Sequence, residues 1–163
     1  MANRIGQYSV IEPTVILGDN IYIGNFVTIR DGSVIEDDVV IGHGVTVELN
    51  ARIGRGTHIA PKCNVTSDII VGRYNFWGSH VITSNDKEMC YMRAKFKSNP
   101  PKIGPYVRIG SRSIIGAGLV IGDNAMIGMG SVVTKNIPSG ELWFGNPAKY
   151  IRDVPNNELL RGL

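Results

Sequence analysis

Two cysteines in 163 residues are too few for a disulfide framework, and Cys63 and Cys90 suit a reducing compartment. No apolar run approaches the length of about 18 residues that a membrane-spanning helix needs, and no signal-peptide pattern opens the chain. Secretion and membrane insertion are therefore not expected, and the expected location is the cytoplasm. The formal net charge of +3 is too small to make nucleic acid the principal partner. At this length a single domain is expected.

What is present is a period. The stretch IGAGLVIGDNAMIGMGSV, residues 115–132, is three hexapeptides end to end. The same phase runs from Ile5 to Trp77 and again from Ile103 to Val133, giving nineteen sixes whose first residue is Ile, Leu or Val in eighteen. Gly holds the second position in twelve of them, and turn formers such as Asp19-Asn20, Asp31-Gly32 and Asp123-Asn124 hold the third and fourth. The fifth is small or aliphatic, as in Ser33, Val45, Ala51, Cys63 and Ala125. A helix repeats near 3.6 residues and a strand face every 2. A period of six instead describes a short strand with inward-facing residues followed by a bend, and three bends close a triangle.

The implied fold is all-β, a parallel β-helix of about six coils with roughly 18 residues per coil. It spans residues 1–137, with a tail at 138–163 that covers the edge of the last coil. In this tail Asn156 is positioned to cap a short helix. The pattern resembles that of the hexapeptide-repeat acyltransferases, and from that resemblance the β-helix is expected to be left-handed.

The repeat is interrupted by TSNDKEMCYMRAKFKSNPPK, residues 83–102. Twenty residues are not a multiple of six, so the chain leaves the coil as a protruding loop and returns in shifted phase. Lys87, Arg93, Lys95, Lys97 and Lys102 against Asp86 and Glu88 give the loop a net charge of +3, while the rest of the chain nets zero. Such a loop is either a solvated surface feature or a cover for a phosphate-bearing substrate held by Arg93, Lys95 and Lys97.

Stacking three histidines on one corner of such a coil requires separations near 18 or 36, whereas His43, His58 and His80 are 15, 22 and 37 apart. A three-histidine metal site within one chain is therefore not expected. His80 stands three residues before the loop and is either a general base or a surface residue at a bend.

Within the family, ITSND at residues 82–86 resembles the segment of N-acetyltransferases that act on UDP- or dTDP-linked amino sugars, with Asn85 matching the asparagine that positions the amine. The resemblance implies catalytic roles for Asn85 and Asp86. No histidine stands at Ser84 or Asn85, where the O-acetyltransferases of the galactoside and maltose type carry theirs. VVTKNIPSGELWFGNPAKYIR, residues 132–152, resembles the end of acetyl-CoA-using members, so Ser111, Met129, Thr134, Lys135, Lys149 and Arg152 match positions lining the coenzyme A channel. Met129 stands where the family has a small residue. Ser111 and Met129, 18 apart, are expected to stack on one corner.

The resemblance implies acetyl-CoA as co-substrate, no metal, a nucleotide sugar as small-molecule partner, and a homotrimer with its site between subunits. The alternatives are an O-acetyltransferase using His80 as base and a non-catalytic β-helix scaffold. No nucleotide-binding domain is expected before Ile5, unlike in the two-domain amino-sugar acetyltransferases.

Overall fold

The computed structural model of the chain describes residues 2–89 and 95–160. Its elements are two-residue strands from β1 (Arg4–Ile5) to β20 (Val132–Val133), followed by the longer β21 (Glu141–Gly145) and β22 (Ala148–Asp153). Each short strand consists of the sixth residue of one hexapeptide and the first of the next. In β4 (Tyr22–Ile23), Tyr22 faces outward and Ile23 is buried.

Because the fifth and first positions lie two residues apart, both point inward. Ile21 and Ile23 are both buried, as are Val27 and Ile29, and Ser33 and Ile35. This double inward row, repeated on every face, forms a single core containing Ile23, Ile41, Ile59, Trp77 and Ile109. The expected all-β left-handed parallel β-helix with a protruding loop is the fold found.

Successive coils pair in parallel, with partners one coil of 18 residues apart, as in Ile53 with Val71. The three faces are sheets of nine, seven and six strands, which we call the first, second and third. The first corner joins the first sheet to the second, the second corner joins the second to the third, and the third corner closes the triangle.

The corners explain the turn residues. A positive φ recurs at the fourth position of the hexapeptide, at Asn20 (57°), Phe26 (58°), Lys62 (61°), His80 (62°) and Arg112 (60°) as well as at Gly32, Gly44 and Gly118. The glycine of the second position answers a different demand, close approach of the next coil. A Cβ on Gly24 would lie 2.6 Å from the His43 backbone nitrogen. Fifth-position hydroxyls are buried and donate to the coil above, Ser33 to the Glu48 carbonyl at 3.0 Å and Thr57 to the Gly72 carbonyl at 3.0 Å. A short polar side chain at that position is therefore satisfied.

Three details correct the expectations from sequence. The stack is about eight turns tall rather than six. Thr83 contributes a rung of its own, Ile137 bridges in parallel to Ile121, and β21 pairs in parallel with β19 (Met126–Ile127) although the six-residue phase has lapsed. The loop returns without disturbing the rungs. Thr83 belongs to β14 (Ile82–Thr83), Lys102 to β15 (Lys102–Ile103), and Ile103 pairs with Val71, so the extra residues are absorbed at one corner.

Among its described residues the tail forms no capped helix. β22 folds back antiparallel on β21, and Asn156–Glu158 make a single 3-10 turn whose N-cap position is Pro155, with no side-chain cap. Pro155 fixes its own φ and offers no side-chain acceptor, so Asn156 sits inside the turn instead of before it. The turn is tied down by Arg108, whose Nη2 donates to the Glu158 carbonyl at 2.9 Å. Among the described residues no helix is long and apolar enough to cross a membrane.

Candidate active site

The second corner carries the loop. Thr83 is buried at the end of β14, where its Oγ1 accepts from the Thr66 amide at 2.9 Å and donates to the Asn64 carbonyl at 3.2 Å. This crosslink to the coil below fixes the point from which the chain departs. Ser84 still donates its amide to the Ile115 carbonyl at 3.0 Å. Beyond it the ladder ends.

The neck of the loop is closed by two asparagines. The Asn99 amide donates to the Asn85 carbonyl at 2.8 Å, the Asn85 Nδ2 donates to the Ser98 Oγ at 3.3 Å, and the Asn99 carbonyl accepts from the Gly118 amide at 2.7 Å. Gly118 is needed there: its φ is +71° and a Cβ would lie 2.5 Å from the Asn99 Nδ2. Asp86 follows, and its Oδ1 accepts from the Glu88 amide at 2.9 Å, closing an Asx turn.

Three clefts meet at Asp86. One, of about 660 Å³, opens toward the C-terminal coils, where Asp86 and Lys87 face Thr134 and Lys135 across a floor that includes Ile114 and Val132. A second, of about 400 Å³, lies within the loop and is lined by Asp86, Lys87, Glu88, Lys95, Lys97, Ser98 and Asn99. A third, of about 390 Å³, faces the N-terminal coils between Asn85 and Asp86 on one side and Glu48, Asn64 and Thr66 on the other, with Phe96 at its edge. Asp86 is half-buried and Lys95 and Lys97 are exposed. A carboxylate with lysines on two sides can hold a cation or orient a nucleophile, while the lysines hold an anion.

The remaining residues singled out from sequence are distributed around the triangle. His80 occupies the positive-φ position of the first corner and lines none of the three clefts. Ser111 and Met129 do stack on that same first corner, where the Gly130 amide donates to the Ser111 carbonyl at 2.8 Å. Met129 is 72% exposed. Thr134 and Lys135 lie on the second corner, and Lys149 and Arg152 lie on β22 at the edge of the first sheet. One chain therefore brings Asn85, Asp86, Thr134 and Lys135 to one corner and leaves Ser111, Met129, Lys149 and Arg152 elsewhere. Arg93 lies outside the described residues.

Sequence reasoning did not single out Glu48, Asn99 or Phe96. Asn99 was signalled by the Asn-Pro-Pro run that ends the loop. Glu48 had only its second-position place, and Phe96 had no signal. Cys63 is no nucleophile: its side chain is buried, its Sγ donates to the Gly78 carbonyl at 3.1 Å, and burial pushes its thiol up to about 11. Among the described residues no group of three His, Cys, Asp or Glu side chains is assembled that would hold a metal ion.

The bacterial transferase hexapeptide model, of six repeats, matches residues 15–49 and 100–135. The bifunctional protein GlmU of Leifsonia xyli subsp. xyli is 33% identical over 141 residues, which cover 86% of this chain and 24% of that protein. Among solved structures, a galactoside acetyltransferase in complex with coenzyme A is 28% identical with a TM-score of 0.65, over 75% of this chain and 65% of that one. PerB of Caulobacter crescentus, in complex with CoA and GDP-perosamine, is 24% identical with a TM-score of 0.53, over 93% of this chain and 58% of that one. That last likeness is one of fold. The chain thus spans less than two thirds of the length of each of these proteins.

Proposed function

The chain is a hexapeptide-repeat β-helix of the bacterial transferase type, and on that premise we propose that it transfers the acetyl group of acetyl-CoA to the amine of a UDP- or dTDP-linked amino sugar. The observation that carries this reading is the place of Asp86, which lines both the cleft containing Thr134 and Lys135 and the cleft containing Lys95 and Lys97. Donor and acceptor brought in from those two sides would meet at Asp86, with Asn85 beside it in the third cleft.

In this reaction the amine lone pair attacks the thioester carbonyl carbon, and the carbonyl π electrons move to oxygen. When the tetrahedral intermediate collapses, the C–S bond breaks, the coenzyme A thiolate leaves, and the proton lost by nitrogen neutralises it. A bound, deprotonated amine needs alignment more than a strong base, and alignment alone is worth several kcal/mol. Asn85 orients the amine, and Asp86 steadies the positive charge that grows on nitrogen.

Lys135, Lys149 and Arg152 suit the phosphates of the coenzyme. Thr134 and Lys135 lie on a different corner from Ser111 and Met129, so a continuous donor channel containing all of them needs the first corner of one subunit beside the second corner of another. A homotrimer around a threefold axis supplies that arrangement. The galactoside acetyltransferase likeness favours a second reading, a sugar hydroxyl as acceptor with His80 as its base, reaching the site from a neighbouring subunit.

The test is a panel of UDP- and dTDP-linked amino sugars and their hydroxyl counterparts, incubated with acetyl-CoA while free thiol and acetylated product are followed together. Turnover confined to the amines is expected. Turnover of hydroxyl acceptors alone would favour the second reading, and thiol release without acetylated product would defeat both. Light scattering is expected to give a trimer.

A further inference from the structure

The cleft on the N-terminal side of the loop neck contains Asn85, yet the roles of Glu48 and Phe96 in its walls are not fixed by placing an amine at Asn85. We propose that it is the acceptor-sugar subsite, in which Glu48 and Asp86 hold the amine and hydroxyls of a hexose ring and Phe96 covers an apolar face of that ring. This deepens the proposed function and rests on it.

Its position comes from the stacking of coils. Glu48, Thr66 and Ser84 occupy the same second position of three successive hexapeptides on the second corner, so Glu48 lies two coils below the start of the loop. Its backbone is fixed in the ladder: the Glu48 amide donates to the Val65 carbonyl at 2.9 Å, and its carbonyl accepts from the Ser33 Oγ at 3.0 Å. The carboxylate is held by Arg30, whose Nη1 lies 3.6 Å from the Glu48 Oε2 while its Nε lies 3.4 Å from the Glu12 Oε1. One guanidinium between two carboxylates leaves the ladder with net negative charge. Glu48 is the member of that ladder that lines the cleft.

The chemistry of the lining selects the ligand. Glu48 and Asp86 accept hydrogen bonds from ammonium or hydroxyl groups, and Asn64, Thr66 and Ser67 add short polar side chains on the same wall. Phe96 adds an apolar surface. The volume of about 390 Å³ falls within the range of roughly 300–1,000 Å³ typical of small-molecule pockets. Across Asp86 lies the cleft in which Lys87, Lys95 and Lys97 outnumber the carboxylates Asp86 and Glu88, which leaves it suited to an anion. A hydroxylated, amine-bearing ring joined to a phosphate satisfies both clefts at once, which neither a neutral glycoside nor a nucleotide without its sugar does.

The experiment uses full-length wild type, Glu48→Gln, Phe96→Ala and Glu12→Gln. Glu12→Gln removes the other carboxylate of the Arg30 ladder but lines no part of the cleft, so it reports a merely structural effect. Calorimetric titration with glucosamine 1-phosphate, without acetyl-CoA, is expected to show binding to wild type that weakens about tenfold in Glu48→Gln, the scale of one hydrogen bond to a charged group, and that is unchanged in Glu12→Gln. In turnover with a nucleotide-linked amino sugar, Glu48→Gln and Phe96→Ala should raise KM for the sugar while KM for acetyl-CoA moves less than about twofold. Equal effects of Glu48→Gln and Glu12→Gln, or no binding by wild type, would overturn the subsite. Binding that depends on Glu48 without acetyl transfer would defeat the functional reading and leave the subsite standing.

Discussion

Trp77 is the largest fully buried side chain of the first-position row, and its replacement tests the packing argument at its most demanding point. It is fully buried and pairs with Ile59 below and Ile109 above in the first sheet. Two effects oppose each other. Burial of so large a side chain makes Trp77→Ala cost about 3–5 kcal/mol, the range for truncating an aromatic residue in a close-packed core. Its Nε1, however, has no hydrogen-bond partner among the described residues, and an unsatisfied buried donor costs about 1–3 kcal/mol.

Trp77→Phe removes that donor while keeping most of the apolar volume, so the two terms nearly offset and the net loss should stay below about 1.5 kcal/mol. Equilibrium denaturation in guanidinium, at one protein concentration because assembly contributes to stability, measures both variants. If Trp77→Ala cost less than about 1 kcal/mol, or Trp77→Phe cost as much as Trp77→Ala, the picture of a closely packed column would be refuted.

The corner glycines divide into two kinds. Gly54→Ala places a Cβ 2.6 Å from the Arg73 backbone nitrogen, so it should cost about 1–3 kcal/mol of overpacking. Gly130→Ala, with φ +68° and no atom within 4 Å, should cost only the left-handed backbone, about 1–2 kcal/mol, and thermal melts of both variants check the order. Burial raises the Cys63 thiol from its ordinary 9.0 to about 11, so its neutral form is favoured in the folded state. Its contribution to stability should be intact below pH 9 and lost between pH 9 and 11, as denaturation of a Cys90→Ser variant across that range would show, and a disulfide reagent should leave native Cys63 unmodified near neutral pH. Lys135→Ala, and separately Lys149→Ala with Arg152→Ala, should raise KM for acetyl-CoA several-fold with little change for the sugar. Equal losses for both substrates would remove these residues from the donor channel.

The architecture was legible because the repeat states it twice, in the aliphatic first position and in the small fifth position, and above the first coil both rows are buried apart from the half-buried Leu119. Where the sequence lost phase, the structure kept its register by other means. Ile137 reaches Ile121 through a single bridge, and Leu142 and Trp143 pair with Met126 and Ile127, so the stack outlasts its signature.

The left-handed corner residues were only partly readable. Asn20 and Gly32 announce a positive φ, but Phe26, Lys62, His80 and Arg112 adopt one because the closed coil imposes it. At the candidate site the loop and its charge were visible from the interruption. Which residues share a cleft depended on stacking three coils, a relation between Glu48, Thr66 and Asn85 that spacing on one coil does not reveal. His80, close to the loop in sequence, lies one corner away because two residues of strand β14 intervene.

The central claim is that an amine acceptor is positioned at Asn85 and Asp86 and needs no histidine base. Comparison of kcat/KM for Asn85→Ala and His80→Ala with the same nucleotide-linked amino sugar tests it most directly. Asn85→Ala should lose roughly 2 to 3 kcal/mol of transition-state stabilisation, or about 30- to 150-fold in rate, and His80→Ala should lose much less. A loss of about 10²- to 10⁴-fold at His80, far exceeding that at Asn85, would contradict it.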